Sequence, residues 1–174
     1  APGHSSQPPK AGTSAIGMMS AALKRLDDNQ LPAGIRGVAS EMFDTVAPEM
    51  SGFGRVALSN LWLFAPLVQK QLEGGASTNA MLRTTTALTI VNAGNKDNVL
   101  PGRAEATVNY RLLPGDSQAG VLAHVKQTVA NERIGIKVLP GATEPSKVAP
   151  TSSDSYKLIE RTVRELFPGT LVAP

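Results

Sequence analysis

At 174 residues the chain can bury one ordinary hydrophobic core, or one core with an appendage, and need not hold more than one domain. Its formal net charge of +3 comes from scattered Lys and Arg, which leaves no basic face of the kind a nucleic-acid partner requires. No apolar run approaches the length of a bilayer span, and the absence of cysteine excludes a disulfide framework and any thiolate metal site while leaving the compartment open.

The first nine residues, with Pro2, Pro8 and Pro9, hold too many prolines for a helix and too many breakers for a central strand, so they read as a loop. His4 in such a loop is, taken alone, a solvated side chain. Thr13 or Ser14 is a suitable N-cap for the segment in which Ile16, Met19, Leu23 and Leu26 recur at helical spacing, with Lys24, Arg25, Asp27 and Asp28 near the other face. This predicts one amphipathic helix to about Asp27. Residues 30–83 contain no clear strand; helical patterns cover 36–46 and 56–72, with Pro48 and the Gly74-Gly75 pair as stops. Within this stretch Leu61, Trp62, Leu63 and Phe64, followed by Leu67 and Val68, hold the only tryptophan and read as core, with an apolar wall for an acyl chain as the functional alternative.

Residues 84–93, rich in Thr, Ile and Val, predict a strand, and a polar connection leads from it to the most regular strand of the chain. There Ala104, Ala106, Val108, Tyr110 and Leu112 alternate with Glu105, Thr107, Asn109 and Arg111, so one face enters a core and the other meets solvent. The two strands should pair antiparallel. Arg111 then projects from the open face, and Asn98 lies in the loop that Pro101 and Gly102 end. On composition alone these are a solvated Arg and a turn Asn.

Past Pro114-Gly115, Asp116 or Ser117 can cap a helix with the stripe Val121, Leu122, Val125 and Val129; His124 lies beside it and reads as structural. Ile134, Ile136 and Val138 alternate as a final strand. Residues 141–150 are linker-like, Ser153 or Asp154 opens a helix through Leu158, Ile159, Val163 and Leu166, and residues 170–173 read as a short apolar strand. The order helix, two strands, helix, strand is the split β-α-β motif without its first strand. The expected class is α+β: a ferredoxin-like unit, its four-stranded antiparallel sheet covered by two helices on one face and interrupted by a helical insertion. The expected segments are 1–29 and 84–141 for that unit, 30–83 for the insertion, and 142–174 for a linker with the start of a further domain.

Three stretches carry a resemblance. Gly3-His4-Ser5-Ser6 is followed by a proline pair and a helix; Thr78-Asn79-Ala80 leads into Arg83-Thr84-Thr85-Thr86; and Asn98-Val99-Leu100-Pro101 precedes an alternating strand that ends in Arg111, then Leu112-Leu113-Pro114-Gly115-Asp116. Together with Ser59-Asn60-Leu61-Trp62, these resemble the lid domain of the dinuclear-zinc aminoacylase and carboxypeptidase family, in its carboxypeptidase S branch. The resemblance implies a lid inserted into a zinc-binding domain, so that the chain starts inside a longer protein and 142–174 begins the return to that domain. It implies a hydrolase that cleaves an amide beside a free amino-acid carboxylate, on a small peptide or N-acyl amino acid, as a homodimer through the lid. It also implies roles: Asn98 and Arg111 on the substrate carboxylate, and His4 on the tetrahedral oxyanion, in several relatives across the dimer.

The two zinc ions of the family need several His and carboxylate ligands converging on metals a few ångströms apart, together with a free carboxylate as base. Two histidines far apart in sequence, no His-x-Asp and no Glu-Glu pair cannot supply them, so no metal ligand is assigned in this chain and the segment alone should be catalytically silent. The alternative from another class is a stand-alone ferredoxin-like binding or regulatory module, an architecture that serves many ligands. Tyr110 falls on the buried set, which argues against an RNA-binding version of it.

Overall fold

The computed structural model describes residues 3–174. The chain divides into two compact units, the first formed by residues 1–31, 84–112 and 116–144, the second by 32–83, 113–115 and 145–174. Residues 1–2 lie outside the described set.

The first unit is built on an antiparallel hairpin, β2 (Thr85–Ala93) with β4 (Ala104–Arg111). Its register runs from Thr85 opposite Arg111 to Ala93 opposite Ala104, with a bulge between Leu88 and Ile90. The bulged residue, Thr89, donates its hydroxyl to the Thr107 carbonyl at 3.1 Å. A second, two-residue ladder pairs β1 (Gly3–His4) with β3 (Val99–Leu100). The alternation expected of β4 is present: Ala104, Ala106, Val108 and Tyr110 are partly buried, whereas Glu105, Asn109 and Arg111 are exposed.

The helix α1 (Ala15–Asp28) begins where the cap predicts, Ser14 accepting the Gly17 N–H at 3.0 Å, and packs against both β2 and β4. The helix α6 (Gln118–Val129) is capped in the same way by Ser117, which accepts the Gly120 N–H at 3.1 Å. Ala22 and Leu26 of α1 form the core with Val129 of α6, and Val108, Val125, Ile134 and Ile136 close around them. Burying a leucine such as Leu26 contributes roughly 1.5–3 kcal/mol.

The two helices tie each other's C-terminal carbonyls. Arg25 donates through Nε to the Thr128 carbonyl at 3.1 Å and through Nη2 to the Val129 carbonyl, and His124 Nε2 lies 2.9 Å from the Asn29 carbonyl. Orphan carbonyls at helix ends carry partial negative charge, so a guanidinium there is favoured on both counts. His124 thus has the structural role expected of it.

The second unit is helical between residues 38 and 80: α2 (Val38–Val46), a 3-10 turn (Ala47–Glu49), α3 (Gly52–Ser59), α4 (Leu61–Glu73) and α5 (Ala76–Ala80). Where the sequence suggested one helix over 56–72, there are two. Asn60 (φ −130°, ψ 47°) leaves the helical region, its side chain donates to the Val56 carbonyl at 2.9 Å, and its own carbonyl accepts from Leu63 and Phe64 at 2.9 and 3.0 Å. One residue therefore ends α3 and begins α4. The final helix, α7 (Asp154–Leu166), is capped by Ser153.

Three expectations are corrected. The sheet is not four-stranded: residues 134–138 form no ladder, although Ile134 and Ile136 still reach the core. In a split β-α-β unit the last strand is separated from the hairpin by the first, so among the described residues this segment has no backbone partner beside it and only its side chains are satisfied. Residues 170–173 form no strand for the same want of a partner. Trp62 is not core but 83% exposed. Phe64 takes the inward place, edge-to-face on Phe53 with ring centroids 5.6 Å apart, and Trp62, two residues or about 200° away around the helix, must face outward.

Replacing Arg25 with Ala removes donors from two helix-end carbonyls and should lower the unfolding free energy by about 1.5–3 kcal/mol, the range for hydrogen bonds from a charged donor. Urea denaturation of the variant beside the parent chain measures it, and an unchanged midpoint would show that the helix ends are solvated without loss.

Candidate functional site

The ten-residue connection between β2 and β4 shapes the candidate site. It leaves β2 at Gly94 (φ +70°), a left-handed turn that L side chains adopt only with strain, and returns through Pro101 and Gly102 to β4. Midway, Val99 and Leu100 pair with His4 and Gly3, and the Ser5 N–H donates to the Asn98 carbonyl at 3.1 Å. His4 and Asn98, distant in sequence, are thereby joined through backbone hydrogen bonds at one end of the hairpin.

Arg111 is elsewhere. It pairs with Thr85 at the opposite end of β4, which over eight residues is about 24 Å of strand from Ala104. The structure thus brings together two of the three residues singled out in the sequence and separates the third. All three are exposed, and among the described residues the Asn98 side-chain amide and the Arg111 guanidinium make no hydrogen bond or ion pair. His4 uses one ring nitrogen: Nδ1 lies 2.9 Å from Ser6 Oγ and accepts the Ser6 N–H at 3.3 Å. Three polar groups held on ordered backbone with free hydrogen-bonding capacity can act on a ligand; donors already spent on the protein cannot.

Beside Arg111, Tyr110 turns to the other face of β4, opposite Thr86. Burial pushes its phenol above the usual range, partly offset by the Thr86 side chain. The phenol therefore stays neutral and belongs to the packed side of the strand, as the alternation required.

Among the described residues no three His, Cys, Asp or Glu side chains converge as metal ligands would. A zinc ion therefore fits no donor set among the described residues, and no chemical step is assigned through one. What sequence reasoning missed is the β1–β3 ladder and the part of Ser5 and Ser6 in it. The only signal was the apolar pair Val99-Leu100 inside an otherwise polar connection, too short to announce a strand.

Comparison with known proteins gives the family. A family described as "Peptidase dimerisation domain" matches residues 1–135. The chain belongs to the peptidase dimerisation domain family. Among curated proteins it is 41% identical over 99% of its length to a probable carboxypeptidase S-like protein (carboxypeptidase S-like 2) of Dictyostelium discoideum, covering 33% of that protein. It is also 41% identical, again over 99% of its length, to the N-fatty-acyl-amino acid synthase/hydrolase PM20D1 of Xenopus tropicalis, covering 34% of it. The human protein of that name is 41% identical over 95% of the chain. The chain therefore spans about a third of the length of these relatives, which are named as peptidases or hydrolases. No solved structure matches it significantly.

Gly94→Ala should cost about 1–2 kcal/mol, because a Cβ at φ +70° is strained although its nearest neighbour, Pro101 Cγ, stands at an unobstructive 3.8 Å. Gly94→Asn should cost less, since Asn tolerates the left-handed region. Thermal denaturation of the two variants checks the order; equal losses would place the cost in contacts, not in the turn.

Proposed function

We propose that this chain is the lid of a zinc-dependent amidohydrolase, a carboxypeptidase or N-acyl-amino-acid hydrolase, that cleaves an amide beside a free carboxylate as a homodimer. The observation that carries the reading is the joined pair His4 and Asn98, both with free donors, on a domain of the dimerisation family. Amide hydrolysis places negative charge on the carbonyl oxygen and leaves an amino-acid carboxylate to be held; an imidazole N–H and a guanidinium suit those tasks. In this reading His4 stabilises the oxyanion, while Asn98 and Arg111 hold the carboxylate. Since about 24 Å of strand separates the two ends of β4, one carboxylate meets both residues only if they come from different protomers. Asn98 and His4 then reach from one lid into the site where the partner supplies Arg111.

The zinc ions belong to the remainder of the protein, and the segment alone is inactive. The division into lid (1–29 and 84–141), insertion (30–83) and return (142–174) is part of the same proposal. Two surfaces support it. The hairpin has open edges, and Leu88, Ile90 and Val91 on β2 are 40%, 51% and 57% exposed, which suits strand-to-strand or face-to-face pairing of two lids. On α7, Leu158, Ile159 and Leu166 are exposed, which suits a helix that packs on chain beyond this segment.

Light scattering over a range of concentrations should show a dimer of the chain, with Ile90→Lys shifting it to monomer; a monomer at all concentrations counts against the lid as the pairing surface. In the whole enzyme, Arg111→Ala should raise KM more than it lowers kcat, by the ~1.5–3 kcal/mol of a charge-assisted contact, and His4→Ala should do the reverse. The control is a substrate whose carboxylate is converted to an amide: Arg111→Ala should cost it little, whereas His4→Ala should cost it as much as before. Equal losses on both substrates for Arg111→Ala would assign that residue to strand or dimer support.

A further inference from the structure

His4 is not merely present at the loop end; its ring is held by a neighbour that the sequence did not single out. Nδ1 accepts the backbone N–H of Ser6 at 3.3 Å and lies 2.9 Å from the Ser6 hydroxyl oxygen. A backbone N–H can only donate, so Nδ1 must present its lone pair to it, and the hydroxyl at the same nitrogen then donates as well. In the neutral ring the proton accordingly sits on Nε2, which among the described residues makes no hydrogen bond. The turn that presents Ser6 is closed by the Gln7 N–H on the His4 carbonyl at 3.0 Å, and the Ser5 N–H between them is anchored on Asn98. Backbone bonds on both sides of Ser6 thus hold it against the imidazole.

We infer that Ser6 is a positioning residue that holds His4 in the Nε2-protonated tautomer with that N–H turned outward. The inference rests on the assignment of His4 to the oxyanion. The chemistry demands this tautomer: an oxyanion needs a donor, and the opposite tautomer would face it with a lone pair, replacing an attraction by a repulsion. The ring need not gain or lose a proton for this role. In this role Ser6 supplies orientation and acts only through the ring.

Two measurements test it. The first is nitrogen NMR of the chain labelled at histidine, above the pH at which imidazole titrates, with His4→Ala used to assign the signals. Ser6→Ala, which removes the hydroxyl but keeps the backbone N–H on Nδ1, should move the His4 tautomer ratio part of the way towards that of a free histidine side chain and broaden its ring signals, and Ser6→Thr, which keeps the hydroxyl, should restore the parent spectrum. A ratio unmoved by Ser6→Ala overturns the inference. The second is turnover in the whole enzyme: Ser6→Ala should lower kcat about 5- to 10-fold, the equivalent of one hydrogen bond, with KM little changed. The double variant with His4→Ala should be no slower than His4→Ala alone, because Ser6 acts only through the ring; additive losses overturn the inference. If instead the tautomer shifts as expected while His4→Ala leaves kcat intact, the oxyanion assignment falls and the hold of Ser6 on the ring stands.

Discussion

The register of β2 against β4 is the constraint on which the first unit depends. Once Thr85 is opposite Arg111 and Ala93 opposite Ala104, the period of two sends Val108 and Tyr110 to the helix side and Arg111 to solvent, and a slip of one residue would exchange them. The same register fixes how far the connection must reach, since it has to leave at Gly94 and return to Ala104 while presenting Val99 and Leu100 to β1. Core packing and site geometry are therefore two consequences of one ladder. The bulge at Thr89 is absorbed within it: the extra residue spends its hydroxyl on the Thr107 carbonyl, and the pairs on either side stay aligned.

The helices secure that ladder from one side and each other at their ends. A small cluster of Ala22, Leu26 and Val129 cannot bury much apolar area, so polar ties carry more weight than in a larger core. Arg25 and His124 reach between the two helices to carbonyls that no helix can satisfy internally. Large apolar side chains are left open on β2, α4 and α7. For a member of a dimerisation family that spans about a third of its relatives, uncovered faces on separate elements are in keeping with contacts made beyond the chain.

The division of labour at the candidate site follows from topology. Backbone bonds bring His4 to Asn98, so these two residues travel as one piece, whereas Arg111 is fixed at the far end of the strand. A rigid strand cannot fold back to close that gap. Under the proposed function, catalysis and dimerisation are then linked: a complete set of contacts exists only when two lids meet.

The sequence by itself determined the local elements and the residues of interest. Cap candidates at 13–14, 116–117 and 153–154 gave the starts of α1, α6 and α7 to within a residue, and the alternation of β4 assigned its side chains to faces, because capping and periodicity are properties of consecutive residues. His4, Asn98 and Arg111 were legible only through motif resemblance, composition having nothing to say about them. Tertiary structure decided the rest. It put Trp62 outside and turned Phe64 onto Phe53, a choice between two positions of one apolar run that depends on where Phe53 lies. It left residues 134–138 without a ladder, because a strand exists only beside a partner and a period of two does not supply one. It joined His4 to Asn98 and turned Ser6 onto the imidazole, since hydrogen bonds between segments far apart in sequence have no local signature and form only when the hairpin has brought their backbones within reach.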